Sequence, residues 1–246
     1  MITARFEIGR ARIVCTDRHG GRSAAPFDTL NLGDHVGDEP PAVASNRAAL
    51  ARDLGLAREP YWLRQVHGCR VVYVGAGADA GGRVATPREP PVADAALTDA
   101  AGVPVAVLTA DCAPIAIVGG RAVAVIHAGW AGLLAGVVGA TVEAVARLDP
   151  GPLRAVLGPC VQPSSYEFGP ADLGRLVDRF GPAVAGRTSG GSAALDLPRA
   201  VRSALREAGV ERVDDVGVCT YASPDHFSYR RDGRTGRQAL VAWVDG

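Results

Sequence analysis

The chain has 246 residues, of which 48% are hydrophobic and 21% are charged, a composition typical of a globular protein with a sizeable core. Its 26 basic residues balance 26 acidic ones, so no net field favours nucleic acid or a membrane, and we expect neither as a partner. Five widely spaced cysteines without a C-x-x-C pair predict reduced thiols and a cytoplasmic protein. The longest apolar run, 131–142, is shorter than the roughly 20 residues of a membrane helix.

The apolar pattern predicts strands and helices in a mixed order. Strands are predicted over 12–16, 61–67, 70–74, 92–98, 103–109, 115–118, 122–126, 153–157 and 213–219. Helices are predicted over 41–54, 131–148, 170–180 and 197–208, the last capped by Asp196. Loops are predicted over 17–38, 75–91 and 186–192, and the tail after Cys219 is polar and arginine-rich. Because the order is not strictly alternating, it favours an α+β sandwich, with helices covering packed mixed sheets in one domain over 1–246.

Three potential metal ligands lie where predicted strands end. His67 ends the first strand of a pair, Cys112 follows the strand 103–109, and His127 follows the strand 122–126. A cysteine with two histidines suits zinc, and three protein ligands leave a fourth position for water or substrate, as in catalytic sites. The same residues also fit a metal-free cysteine hydrolase, with Cys112 as nucleophile and His127 as base. Ordinary buried side chains are a third interpretation, and the spacing alone does not distinguish the three.

Six motifs, spread over nearly the whole chain, point to one protein family. They are RQVHG (64–68), ADAALTD (93–99), LTADCAPI (108–115), HAGWAGL (127–133), LGPCVQPSSYEFG (157–169) and FSYRRDGRTGRQA (227–239). In this order they resemble the YfiH family, whose members are also described as laccase-domain or multi-copper polyphenol oxidoreductase-like proteins. The resemblance implies a four-layer α/β/β/α sandwich with mixed sheets, distantly like the deamidase domain of cytotoxic necrotizing factors.

The resemblance also implies an activity and a metal. Members of the family are purine nucleoside phosphorylases that cleave adenosine, inosine and S-methyl-5′-thioadenosine with phosphate, and that also deaminate adenosine. The family's zinc ligands fall on His67, Cys112 and His127, which would be both metal ligands and catalytic residues. Copper could replace zinc and support a polyphenol oxidase side activity, but five histidines are too few for the several copper centres of a multicopper oxidase. We expect a monomer or a weak homodimer whose partners are purine nucleoside and phosphate.

One departure from the family pattern concerns phosphate. The family usually carries arginine after HAGW, where this chain has Ala131. Either another arginine binds phosphate or phosphorolysis is weakened. Arg64, Arg230 or Arg231 could take that role, because the planar guanidinium suits the anion. Asp94 and Asp111 are further candidates for contact with the substrate, or for orienting a ligand histidine. A non-enzymatic protein with a structural metal is the remaining alternative.

Overall fold

The computed structural model describes residues 1–76 and 89–246. Its strands are β1 (Ile2–Ile8), β2 (Ala11–Thr16), β3 (Val71–Tyr73), β4 (Ala95–Thr98), β5 (Val105–Thr109), β6 (Ala113–Val118), β7 (Val123–Ala128), β8 (Arg154–Leu157), β9 (Ala185–Arg187), β10 (Ala193–Leu195), β11 (Arg212–Asp215) and β12 (Gln238–Val244). Its helices are α1 (Pro40–Asp53), α2 (Trp130–Leu134), α3 (Val137–Leu148), α4 (Pro170–Phe180), α5 (Leu197–Glu207) and α6 (Tyr229–Asp232). Within these ranges no helix combines the length and apolar character needed to cross a membrane.

Two sheets carry most of the strands. A four-stranded antiparallel sheet has the order β1-β2-β12-β5. A six-stranded sheet has the order β11-β8-β6-β7-β4-β3, with parallel pairs at its two edges and antiparallel pairs between them. Strands β9 and β10 form a separate small hairpin. The expected α+β fold with mixed sheets is confirmed.

Three apolar cores separate four layers of secondary structure. The first lies between α1 and the four-stranded sheet, where Leu50 meets Leu108 and Val241. The second lies between the two sheets, with Val107 on one side and Val125 on the other. The third packs the far face of the six-stranded sheet against α3, α4 and α5. The order of layers is therefore α/β/β/α, as the family resemblance implied.

The central strands are apolar along their whole length because both faces of each sheet are covered. Every residue of β5, β6 and β7 is buried, so these strands show a continuous apolar run instead of the alternation of a half-exposed strand. That arrangement leaves the polar residues at the strand ends as the only ones able to form a polar site in this part of the fold.

The sequence prediction was wrong for some elements. Residues 61–67 do not form a strand, and only Tyr61 and Arg64 make isolated bridges. The predicted helix 131–148 is divided into α2 and α3 at Gly136, whose φ of 86° favours glycine. The predicted loop 186–192 includes the end of β9, and the predicted strand 213–219 ends early, at Asp215. Strands β1 and β12 were not predicted at all, and most of the predicted loop 75–91 lies outside the described residues.

Candidate metal centre

Three side chains from distant parts of the sequence converge at one end of the sheets. His67 lies in the loop before β3, Cys112 in the three-residue link between β5 and β6, and His127 in β7. One potential ligand atom from each lies within 4.8 Å of the other two. Cys112 Sγ is 3.8 Å from His67 Nε2, and the two imidazole rings are 4.7 Å apart between centroids. The arrangement could hold a metal ion, as the sequence predicted.

Asp94 fixes the position of both histidines. Its carboxylate is fully buried and accepts hydrogen bonds from the backbone N–H groups of Val66, His67 and Gly68, the closest at 2.7 Å. It also accepts one from His127 Nδ1 at 2.9 Å. Since Nδ1 of His127 is the donor, its Nε2 lone pair is available to a metal, an arrangement that is common for histidine ligands.

The charges at this site favour a thiolate. Burial raises the pKa of the Cys112 thiol, but the charge and hydrogen bonds of His127, together with His67, outweigh it and lower that pKa to about 6. Burial lowers the pKa of His127, but Cys112 and Asp94 outweigh it and raise that pKa to about 9. For Asp94 burial opposes ionisation, yet the hydrogen bonds from His127 and Gly68 lower its pKa overall. These opposite shifts favour a thiolate–imidazolium pair in the metal-free site.

Gly129 leaves room beside the side chains of His67 and Cys112. A Cβ at this position would lie 2.8 Å from His67 Cδ2 and 3.0 Å from Cys112 Sγ, closer than such contacts allow. Its backbone is extended, with φ of −77°, so the need for glycine here is spatial and not conformational. A thiolate with two imidazoles fits zinc, and three ligands leave one coordination position open.

A ligand residue and a neighbour of another ligand have a backbone conformation with positive φ, which favours glycine. His67 has φ of 58° and Asp111 has φ of 103°, a costly conformation for residues with a Cβ. Hydrogen bonds to Asp94 fix the first residue. The second is fixed by its own carboxylate, which accepts hydrogen bonds from the Thr220 hydroxyl and the Arg230 backbone N–H, both at 2.7 Å.

The three ligands lie in a cavity of about 280 Å³. Its lining consists of His35, Gln65, His67, Leu108, Thr109, Ala110, Cys112, His127, Tyr229 and Arg237. The side-chain amide of Gln65 pairs with the backbone of Leu108, with both hydrogen bonds at 2.8 Å, so it takes the place of a strand partner and holds the His67 loop against β5. Sequence reasoning did not select His35 or Arg237. Their place in the family motif 227–239, or in a loop, was the only available signal.

The other predicted site residues lie around this cavity rather than in its lining. Arg64 and Arg230 are exposed, and the Arg230 guanidinium lies 4.7 Å from the centroid of the Tyr166 ring. Asp111 uses both carboxylate oxygens within the protein, and Asp94 contacts ligand residues. Contact of these four side chains with a substrate remains a prediction, whereas the position of Asp94 directly supports an orienting role.

Comparison with known proteins gives a consistent result. Residues 12–245 match the family model described as multi-copper polyphenol oxidoreductase laccase. The chain is 42% identical to a Streptomyces coelicolor protein named purine nucleoside phosphorylase, over 100% of both chains. A crystal structure of a Neisseria meningitidis protein has a TM-score of 0.84 at 33% identity, covering 99% of both chains. The crystal structure of Bacillus licheniformis YfiH has a TM-score of 0.85 at 26% identity, covering 96% of this chain and 93% of that one.

The fold and the His-Cys-His cluster define a laccase-like α/β/β/α protein with a potential metal centre. The chain belongs to the YfiH family of multi-copper polyphenol oxidoreductase laccase-like proteins, whose curated relatives at about this level of identity are named purine nucleoside phosphorylases. An enzymatic role is therefore supported for this chain.

Proposed function

We propose that this protein is a zinc-dependent purine nucleoside phosphorylase. It would act on adenosine, inosine and S-methyl-5′-thioadenosine, with adenosine deamination as a side activity. The relatives' names support the nucleoside and phosphate substrates. The observation that carries the proposal is the convergence of Cys112, His67 and His127 in the cavity, with one ligand atom from each within 4.8 Å of the others.

The residues in and around the cavity would have separate roles in the reaction. His67, Cys112 and His127 hold the ion, which when bound supplies Lewis-acid polarisation of an oxygen atom in the cavity. Asp94 keeps His127 in one orientation. His35 and Tyr229 line the same cavity and offer hydrogen bonds to a ribose or a purine. In phosphorolysis a phosphate oxygen forms a bond to C1′ as the bond from C1′ to the purine nitrogen breaks, and the proton lost by the phosphate hydroxyl group is taken up by the departing purine.

The decisive assay is hypoxanthine release from inosine and phosphate. Protein purified without a histidine tag should contain about one zinc ion per chain by plasma mass spectrometry. Cys112→Ala and His67→Ala should each lose zinc and most of the activity. Cys69→Ala is the matched control, because this cysteine is exposed and lies outside the cluster. Release that persists in His67→Ala and Cys112→Ala would exclude the proposed mechanism.

A metal-free cysteine hydrolase or deamidase is the second candidate. It is favoured by one specific observation, the order Cys112, His127, Asp94, in which a carboxylate holds the histidine next to the thiolate. The two candidates differ at His67, which the metal site needs and a cysteine–histidine pair does not. Amide hydrolysis that survives both chelation and His67→Ala would support the second candidate.

We further propose that residues 1–246 form one domain that is monomeric or weakly dimeric. The ligand role of Cys112 requires a reduced thiol, which fits the cytoplasm. Light scattering over a range of protein concentrations tests the proposed oligomeric state. Zinc rather than copper as the resident ion is tested by the metal content of protein expressed without added metal.

A further inference from the structure

Arg237 is a partly buried cation with an unusual set of partners. Its Nη1 donates to the carbonyl oxygens of Thr235 and Gly236, at 3.0 and 2.9 Å. Its Nε and Nη2 groups donate to no acceptor within residues 1–76 and 89–246, and in that part of the chain no carboxylate lies within 4 Å of the guanidinium. The N–H edge suited to a two-oxygen anion is therefore unused, and the residue lines the cavity that contains the three potential ligands.

Three other arginines with little exposure are neutralised, whereas Arg58 has a buried Nη1 without a hydrogen-bond partner among the described residues. Arg47 lies 3.3 Å from the Asp34 carboxylate, and Arg18 lies 3.4 Å from that of Asp28. The Arg231 guanidinium pairs with Asp232 and also donates to several backbone carbonyl groups. Burying a charge without a partner costs free energy, and Arg237, unlike Arg58, lines the cavity that contains the three potential ligands. A ligand in that cavity is therefore the expected partner of Arg237.

The position of Arg237 is also fixed before any ligand arrives. Its backbone N–H donates to Asn31 Oδ1 at 2.9 Å. The guanidinium lies 5.9 Å from the centroid of the Tyr229 ring. A Cβ on Gly33 would lie 2.8 Å from Arg237 Cγ, so glycine allows the stem of this side chain to pack closely. Burial lowers the pKa of the guanidinium, and Cys112, Asp111 and Tyr229 oppose that change.

We propose that Arg237 is the anion-binding residue of this cavity and holds phosphate through its Nε and Nη2 groups. The inference rests on the proposed phosphorylase function and specifies where the second substrate binds. It assigns to Arg237 the role that the sequence prediction gave to Arg64, Arg230 or Arg231. The first two are exposed, the third pairs with Asp232, and all three lie outside the cavity lining. It also explains how a chain with Ala131 after HAGW would keep a phosphate site.

Phosphate binding is measured directly, by calorimetry on the zinc-loaded protein. Arg237→Gln keeps the Cβ and Cγ that pack on Gly33 but removes the charge and the fork, and it should weaken phosphate binding roughly tenfold or more. Arg237→Lys keeps the charge without the fork and should weaken binding less. Arg234→Gln is the control, because it removes the same charge from the same loop at a residue outside the lining of this cavity, whose Nη2 donates to the Gly37 carbonyl. It should leave the affinity unchanged.

The outcomes separate this inference from the proposed function. Unchanged phosphate affinity in Arg237→Gln, with zinc content and Tm like those of the unsubstituted protein, overturns the inference, as does equal weakening by Arg234→Gln. No phosphate binding by the unsubstituted protein also overturns it. Phosphate binding that depends on Arg237 without hypoxanthine release leaves the inference standing and removes the phosphorylase proposal. If Arg237→Gln unfolds the site, the phosphate affinity of Arg237→Lys is used instead, provided that its zinc content and Tm are intact. Weaker binding by that variant supports the inference, and unchanged binding overturns it.

A second titration distinguishes the source of the phosphate group. Inosine 5′-monophosphate carries the same group as inorganic phosphate but attached to the nucleoside. If free phosphate is the ligand, inosine should not compete with it, and inosine monophosphate should bind no more tightly than phosphate. Displacement of phosphate by low concentrations of the nucleotide, abolished by Arg237→Gln, would instead overturn inorganic phosphate as the occupant.

Discussion

Asp94 and His127 form a buried hydrogen bond of 2.9 Å between a carboxylate oxygen and Nδ1. The carboxylate is fully buried and the imidazole nearly so, at 4% exposure. The same carboxylate holds the backbone N–H groups of 66–68, including that of His67. One side chain that does not touch the metal position therefore sets the position of two of its three ligands.

Asp94→Asn should weaken zinc binding on the order of 10- to 100-fold. All four groups around the carboxylate are N–H donors, so the amide NH2 of asparagine would face another donor. The unfolding free energy should also fall by about 3 kcal/mol, because a buried donor is left without a partner. Zinc competition titration and urea unfolding measure the two effects.

Asp99→Asn is the matched control for that change. Asp94 lies just before β4 and Asp99 just after it. Among the described residues, the Asp99 carboxylate accepts a single side-chain hydrogen bond, at the surface, from the Tyr73 hydroxyl. It should change neither zinc affinity nor stability appreciably. Equal zinc affinity in the Asp94 and Asp99 variants would contradict the orienting role.

Gly129→Ala should reduce zinc affinity by roughly tenfold with little loss of fold stability. The added methyl group would press on His67 Cδ2 and Cys112 Sγ, while the extended backbone accepts alanine. Gly139→Ala serves as the comparison, because nothing lies within 4 Å of its added Cβ and alanine favours a helix interior. A Gly129 variant that binds zinc as the unsubstituted protein does would show that the ligands move apart without cost.

Alkylation of Cys112 by iodoacetamide in the metal-free protein should rise through a midpoint near pH 6. The reagent reacts with the thiolate, and the lowered pKa of about 6 means that the thiolate is present above this pH and lost below it. His127→Ala should move the midpoint upward, because the positive charge that opposes the effect of burial is removed. Zinc should protect Cys112 in the unsubstituted protein.

Peptide mass spectrometry makes that measurement specific. A Cys69→Ala background removes the exposed thiol, and the Cys112 peptide is followed separately. A midpoint well above pH 8, unchanged by His127→Ala, would refute the thiolate–imidazolium pair.

Asn46→Ala should lower the unfolding free energy by about 2–4 kcal/mol. Asn46, in α1, is fully buried, and its amide donates to the carbonyl oxygens of Thr29 and Asn31, at 3.1 and 2.9 Å. These bonds hold the loop 17–39, which carries the cavity residue His35. Urea unfolding measures the loss of unfolding free energy. Ser45→Ala on the same helix is the control and should cost far less. A similar loss in both variants would show that the hydrogen bonds of the Asn46 amide contribute little.

The layered fold and the ligand set were predictable for different reasons. Buried strands such as β5, β6 and β7 appear as short apolar runs bounded by polar residues, and these were identified. Cys112 and His127 were selected because each lies at the end of such a run, whereas His67 was selected at the end of a predicted strand, 61–67, that does not form. The structure nevertheless brings the three together. The hydrophobic pattern indicated such positions because, where both faces of a sheet are buried, polar residues occur mainly at the strand ends.

Other parts depend on tertiary contacts that the local sequence does not show. Residues 61–67 resemble a strand, but the Gln65 side chain replaces the backbone partner and Asp94 turns the chain at His67. Strand β12 was missed because it follows directly after a polar, arginine-rich segment. Arg237 could not be distinguished from its neighbouring arginines, since its lack of a carboxylate partner is a property of the folded chain.

The link of three residues between β5 and β6 passes from one sheet directly to the other, and Cys112 is its last residue. The His67 loop is likewise tied to both sheets, through Gln65 to β5 and through Asp94 to the chain entering β4. Slippage of the sheets past each other by one residue, about 3.3 Å, would separate sulfur from imidazole. A metal ion bound by these side chains would therefore cross-link the two sheets and oppose their sliding past each other.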